Sequence, residues 1–135
     1  MSKNKQKGTR WEVAVRDLLN DGAVLWEVYR PAQEGFRDTG DLHGFPFFAI
    51  QCKNWKDVTS AIREGIDGVR KQAEHYSRPW GFAAVKRARK STGEGYAVMT
   101  LAQMREVAYV LSRAAVLLDD RGVSMDELIE EAKAL

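Results

Sequence analysis

Stretches with helical apolar spacing alternate along this chain with short strand-like runs, and that alternation confines it to a mixed α/β fold. Trp11, Val15, Leu18 and Leu19 fall on one helical face. Thr9, with Glu12 three residues on, reads as a capping box opening this first helix, and Asp21-Gly22 closes it. Residues 23–29, rich in Val, Leu, Trp and Tyr, read as a strand stopped by Pro31, and a polar segment over residues 32–40 follows. Residues 41–43 and 47–53 read as two short strands about the tight connection Gly44-Phe45-Pro46.

Residues 60–76 carry Ile62, Ile66, Val69, Ala73 and Tyr76 at helical spacing, with charged residues opposite. Gly65 and Gly68 each cost that helix up to about 1 kcal/mol relative to Ala, so their presence points to a close approach. Residues 81–86 and 96–100 read as two more strands, joined by the basic loop 87–95. Thr100 with Gln103, and Ser124 with Glu127, signal the starts of two final helices. The expected order is α-β-β-β-α-β-β-α-α around a central mixed sheet. A length of 135 residues suits one domain: a basic arm over 1–8, a core over 9–100 and C-terminal helices over 101–135.

A composition 44% hydrophobic and 30% charged excludes a disordered or collagen-like chain. The longest apolar runs, such as residues 114–118, are too short to span a bilayer, so no membrane is expected. The basic N-terminus has no apolar signal core after it, and the expected location is cytoplasmic. With Cys52 as the single cysteine, an intramolecular disulfide and a Cys-rich zinc site are excluded.

The formal charge of +2 conceals an asymmetry. Residues 1–118 carry 19 Lys/Arg against 13 Asp/Glu, whereas residues 119–135 carry 2 against 6. Lys3, Lys5, Lys7 and Arg10 form one cluster without acids, and Arg78, Lys86, Arg87, Arg89 and Lys90 dominate a second basic region. Such clusters suit phosphate contacts, whose affinity comes largely from counterion release; the competing reading is a solvated surface.

The chemistry concentrates in Gly40-Asp41, a hairpin, and then Gln51-Cys52-Lys53. Alternation along a strand puts Gln51 and Lys53 on one face and turns Cys52 away. With the turn at residues 44–46, Asp41 is expected across from Ala49 and diagonal to Gln51, a backbone separation of about 7–8 Å. Asp41 and the Gln51 amide oxygen are hard oxygen ligands for Mg²⁺, and Lys53 is placed to orient a water or stabilise charge at a phosphate. His43 and His75 have no partner at metal-ligand spacing and read as structural or surface residues. Trp55, just beyond the motif, suits either stacking on a splayed base or packing.

Gly40-Asp41…Gln51-x-Lys53, preceded by a helix bearing Glu12 and followed by one bearing Gln72, resembles the PD-(D/E)XK nuclease superfamily. Within it, Lys7-Gly8-Thr9-Arg10-Trp11-Glu12 is similar to the opening of archaeal-type Holliday junction resolvases. The resemblance covers roughly residues 7–100 and implies a restriction-endonuclease-like αβββαβ core. It also implies that Asp41 is the metal aspartate, Lys53 the catalytic lysine, Glu12 an additional metal-site acid and Gln72 a supporting residue. The chain departs from the pattern twice, with Gly40 in place of proline and Gln51 in place of the usual acid, the latter as in Mrr-type nucleases.

The function expected on this resemblance is metal-dependent endonuclease action on branched DNA such as Holliday junctions, as in phage or mobile-element recombination and repair. Asp41, Gln51 and Glu12 would hold Mg²⁺, with Mn²⁺ as a substitute, and Lys3, Lys5, Lys7, Arg10, Lys86, Arg87, Arg89 and Lys90 would contact DNA. Two symmetric cuts imply a homodimer, with the apolar stripes of residues 101–118 and 124–135 as candidate surfaces. The alternatives are a Mrr-like or repair nuclease on linear duplex, an inactive DNA-binding module of the same fold, and an interaction domain.

Overall fold

In the computed structural model, which describes residues 2–32 and 40–135, the chain is an α/β protein with a small mixed sheet. The described elements run α1 (Lys3–Asn20), β1 (Phe48–Lys53), α2 (Val58–His75), β2 (Trp80–Val85), β3 (Tyr96–Val98), α3 (Leu101–Asp119) and α4 (Met125–Lys133). They fall into two compact units, Met1–Met99 and Thr100–Leu135. Among the described residues no helix is long and apolar enough to cross a membrane.

In the first unit β2 is the central strand. It pairs in parallel with β1, from Phe48 opposite Trp80 to Lys53 opposite Val85, and antiparallel with β3. Parallel neighbours need a long crossover, which α2 supplies. Side-chain alternation then divides the sheet between two helices. On one face Trp11 and Val15 of α1 pack with Ile50, Cys52, Phe82 and Ala84, and the Trp11 indole donates to the Ala84 carbonyl at 2.9 Å. The other face is covered by α2, with Ala49 against Val69 and Ala73, and Ala61 against Ala83 and Val85. This unit is a three-layer helix–sheet–helix arrangement.

Several expectations need correction. Thr9 does not cap α1. Ser2 does, accepting from the Lys5 N–H at 3.2 Å, and the helix runs through Gly8. Residues 3–8 are therefore the first turns of α1, not an arm. Lys3, Lys7 and Arg10 share one face of it, with Lys5 turned elsewhere.

Residues 23–29 do not form a strand. The Asn20 side chain takes both backbone groups of Val28, accepting from its N–H and donating to its carbonyl, and the Trp26 indole bonds the Leu19 carbonyl. These side-chain bonds replace a ladder, and Val24 and Leu25 stay exposed. Residues 41–43 are likewise reduced to single bridges, Tyr29 with His43 and Leu42 with Ile50. Both backbone groups of His43 are spent on Tyr29, at 2.9 and 2.8 Å. Gly44 fixes the turn that follows: its φ is +90°, and a Cβ there would lie 2.0 Å from the Glu27 carbonyl oxygen. The neighbours are those of the expected three-strand run, but each pairing lasts one residue. The polar segment read over 32–40 lies mostly outside the described residues, at 33–39.

The remaining elements match the reading closely. Asp57 caps α2 by accepting from the Ser60 N–H. Thr100 and Ser124 cap α3 and α4, accepting from Gln103 and Glu127 as the sequence suggests. In the second unit no residue of α3 or α4 is buried.

Candidate active site

The bridge between Leu42 and Ile50 sets the register around Asp41. It puts Asp41 directly beside Gln51, a correction to the expected position across from Ala49. Asp41 is tied to β1 twice: its N–H donates to the Ile50 carbonyl, and its Oδ2 accepts from the Cys52 N–H, both at 2.8 Å. The side chain thus replaces the missing rung of the ladder and holds the carboxylate against β1.

Gln51 and Lys53 project towards α2. One glycine of that helix explains how it fits over them. A Cβ on Gly65 would stand 2.7 Å from the Ala83 Cβ and 3.5 Å from Lys53 Cγ, whereas one on Gly68 would stand 4.0 Å from Gln51 Oε1, an ordinary contact. On this helix buried Gln72 donates from Nε2 to Gln51 Oε1. The Lys53 ammonium lies over the Trp55 ring, 4.6 Å from its centroid, so Trp55 engages a cation of its own chain.

Glu12 arrives from α1, the layer on the other side of the sheet, and its Oε2 accepts from Arg30 Nε at 2.9 Å. Burial pushes the Cys52 thiol well above its ordinary range, with the Asp41 and Glu12 carboxylates adding to the rise and Arg30 opposing it. Both carboxylates therefore act on one point, the Cys52 side chain. The structure puts Gln51, Lys53 and Gln72 on the α2 side, ties Asp41 to the β1 backbone next to Gln51, and pairs Glu12 with Arg30 from the α1 layer.

His43 stacks on Tyr76 with ring centroids 3.9 Å apart, and the Tyr76 hydroxyl accepts from Arg78 at 2.9 Å. His75 is exposed. Among the described residues no three His, Cys, Asp or Glu side chains form a group placed to hold a metal ion. The donor set at Asp41 is instead one carboxylate opposite one amide oxygen, that of Gln51. A carboxylate and an amide oxygen are hard oxygen donors, the kind taken by a hard cation that keeps several waters.

Of the DNA-contact residues, Lys3, Lys5, Arg10, Arg89 and Lys90 are exposed, and Lys7, Lys86 and Arg87 are half-buried. Arg87 is held over the Tyr96 ring and donates to the Glu94 carbonyl. Sequence reasoning missed Arg30 and Tyr76 as neighbours of the site. Arg30 carried no signal beyond preceding Pro31, whereas Gly65 did announce the approach of α2, and Gly68 makes no such approach. No family model, curated protein or solved structure matches the chain.

Proposed function

We propose that this chain is a metal-dependent DNA endonuclease with a restriction-nuclease-like core, acting on branched DNA such as Holliday junctions. The observation that carries the reading is the placement of Asp41 beside Gln51, with Lys53 on the same strand face and Gln72 bonded to Gln51. Asp41, Gln51 and Glu12 would hold a divalent cation, Mg²⁺ or in its place Mn²⁺. When bound, that ion supplies charge neutralisation at a phosphate and a lowered pKa for a coordinated water.

The chain's own residues do the rest. Asp41 presents a carboxylate fixed by two backbone bonds, and Gln72 fixes the rotamer of Gln51. Lys53 supplies a cation to orient the attacking water or stabilise the developing phosphorane charge. Exposed Lys3, Arg10, Arg89 and Lys90 supply phosphate contacts, which raise affinity and carry no sequence information.

The second unit favours two copies acting together. Leu101, Tyr109, Val110, Leu111, Val116 and Leu117 of α3 are all exposed, and a second copy would cover part of this apolar surface. A homodimer would supply the two sites that paired cuts need. Sedimentation at micromolar concentration tests this: a monomer even with junction DNA favours a nuclease of linear duplex.

The direct test is Mg²⁺-dependent cleavage of a four-way junction, a flap, a linear duplex and a single strand. Asp41→Asn and Lys53→Ala are expected to lose at least about a hundred-fold in rate with DNA binding kept. Undiminished cleavage in either folded variant removes the site assignment. Binding without cleavage by the native chain on every substrate leaves the DNA-binding module.

A further inference from the structure

The acidic side of the site already holds a cation. Arg30 Nε bonds Glu12 Oε2 at 2.9 Å across 18 residues of sequence, and the placement is imposed by the fold. Asn20 clamps Val28, and Tyr29 is bonded to His43 through both backbone groups, so Arg30 follows directly on a residue bridged to the segment that carries Asp41. The pair is open to water, with side-chain exposures of 40% and 22%, and an exposed pair of this kind is weak.

We propose that Arg30 is a built-in counter-ion to the acidic side of this site, competing with a divalent cation for Glu12 and, once released, binding a DNA phosphate. The inference rests on the reading that Glu12 and Asp41 hold a divalent cation. A weak pair exchanges easily, and a guanidinium freed from a carboxylate presents a planar fork that matches a phosphate. The basic charge is thus stored beside the acids and delivered where the nucleic acid must approach them. A merely structural role, in which Arg30 holds Glu12 in position, has the opposite consequence for metal binding.

The test uses the full chain, Mn²⁺ titrations followed by the spin-resonance signal of free Mn²⁺, and four-way junction binding with and without Ca²⁺. Arg30→Gln is expected to bind Mn²⁺ about five-fold more tightly, the scale for removing one partly exposed charge. It is also expected to lose most of the gain in junction affinity that Ca²⁺ gives the native chain. Arg30→Lys retains the charge and is expected to restore native Mn²⁺ binding. Native Mn²⁺ binding that is unchanged or weaker in Arg30→Gln overturns the inference and leaves the metal site standing, as does an undiminished Ca²⁺ gain. Absence of Mn²⁺ binding in both proteins overturns the metal site and the inference together.

Discussion

On one face of the sheet α1 packs through large side chains, Trp11 and Val15 against Ile50 and Phe82, whereas on the other α2 packs mostly through small ones, Ala61, Gly65 and Ala73, with Val69 among them. The first face is held by volume and the second by closeness. Closeness has a chemical consequence, because a helix lying low on a sheet can pin polar side chains that a bulky interface would expel. Gln51, Lys53 and Gln72 are all on the close side, whereas the α1 side receives Cys52 and its apolar neighbours.

The largest expected effect separates the two faces by volume. Trp11 is 4% exposed and its indole bonds the Ala84 carbonyl, so Trp11→Ala removes both a large buried ring and a long-range hydrogen bond. The expected loss is about 3–5 kcal/mol by urea denaturation. A loss under about 1 kcal/mol would mean that α1 does not cover this face.

The close side is tested by adding a single methyl. At Gly65 the new Cβ meets the Ala83 Cβ at 2.7 Å, whereas at Gly68 the nearest atom is Gln51 Oε1 at 4.0 Å. Overpacking costs about 1–3 kcal/mol, and replacing a mid-helix glycine by alanine returns up to about 1 kcal/mol. Gly65→Ala is therefore expected to destabilise the chain, and Gly68→Ala to stabilise it by up to about 1 kcal/mol. The opposite signs three residues apart are the measurement. Stabilisation by both would place α2 further from the sheet.

The same contrast explains which parts of the fold were legible in the sequence. The caps of α3 and α4 are local signals, one side chain bonding an N–H three residues on, and each could be read directly, whereas α2, capped by Asp57, starts two residues before the expected Ser60. The strands β1 and β2 were legible from their apolar runs. Residues 23–29 carry the composition of a strand, yet whether they become one depends on backbone partners, and Asn20 had already taken both groups of Val28 while the Trp26 indole ties the segment to α1. Ser2 outcompeted Thr9 as a cap because Lys3 to Lys7 offer no break between them. In the candidate site, Gln51 and Lys53 could be grouped by alternation, whereas Asp41 joined them only through an expected hairpin whose register depended on a one-residue bridge. Arg30 was invisible because an ion pair across 18 residues has no local signature.

The smallest expected effect reports on the α1 side through pH. Cys52 packs there, and burial raises its thiol above the ordinary range, followed by the influence of Asp41 and Glu12. The folded chain therefore holds the thiol proton more tightly than the unfolded chain. Its contribution to stability is fully present below the unfolded thiol's pKa and is lost as pH rises through the window up to the folded value. At a pH equal to the unfolded pKa, ordinarily about 8.5, the loss is about 0.4 kcal/mol, and it steepens towards about 1.4 kcal/mol per pH unit above that. Tyrosines and lysines also titrate at high pH, so the quantity to measure is the difference between the native chain and Cys52→Val, in EDTA, across pH 7 to 10. The native chain is expected to lose the additional stability and the variant to lack that slope. Parallel curves would place the thiol in water and remove it from beneath α1, which would leave the two faces of the sheet less different than their packing makes them.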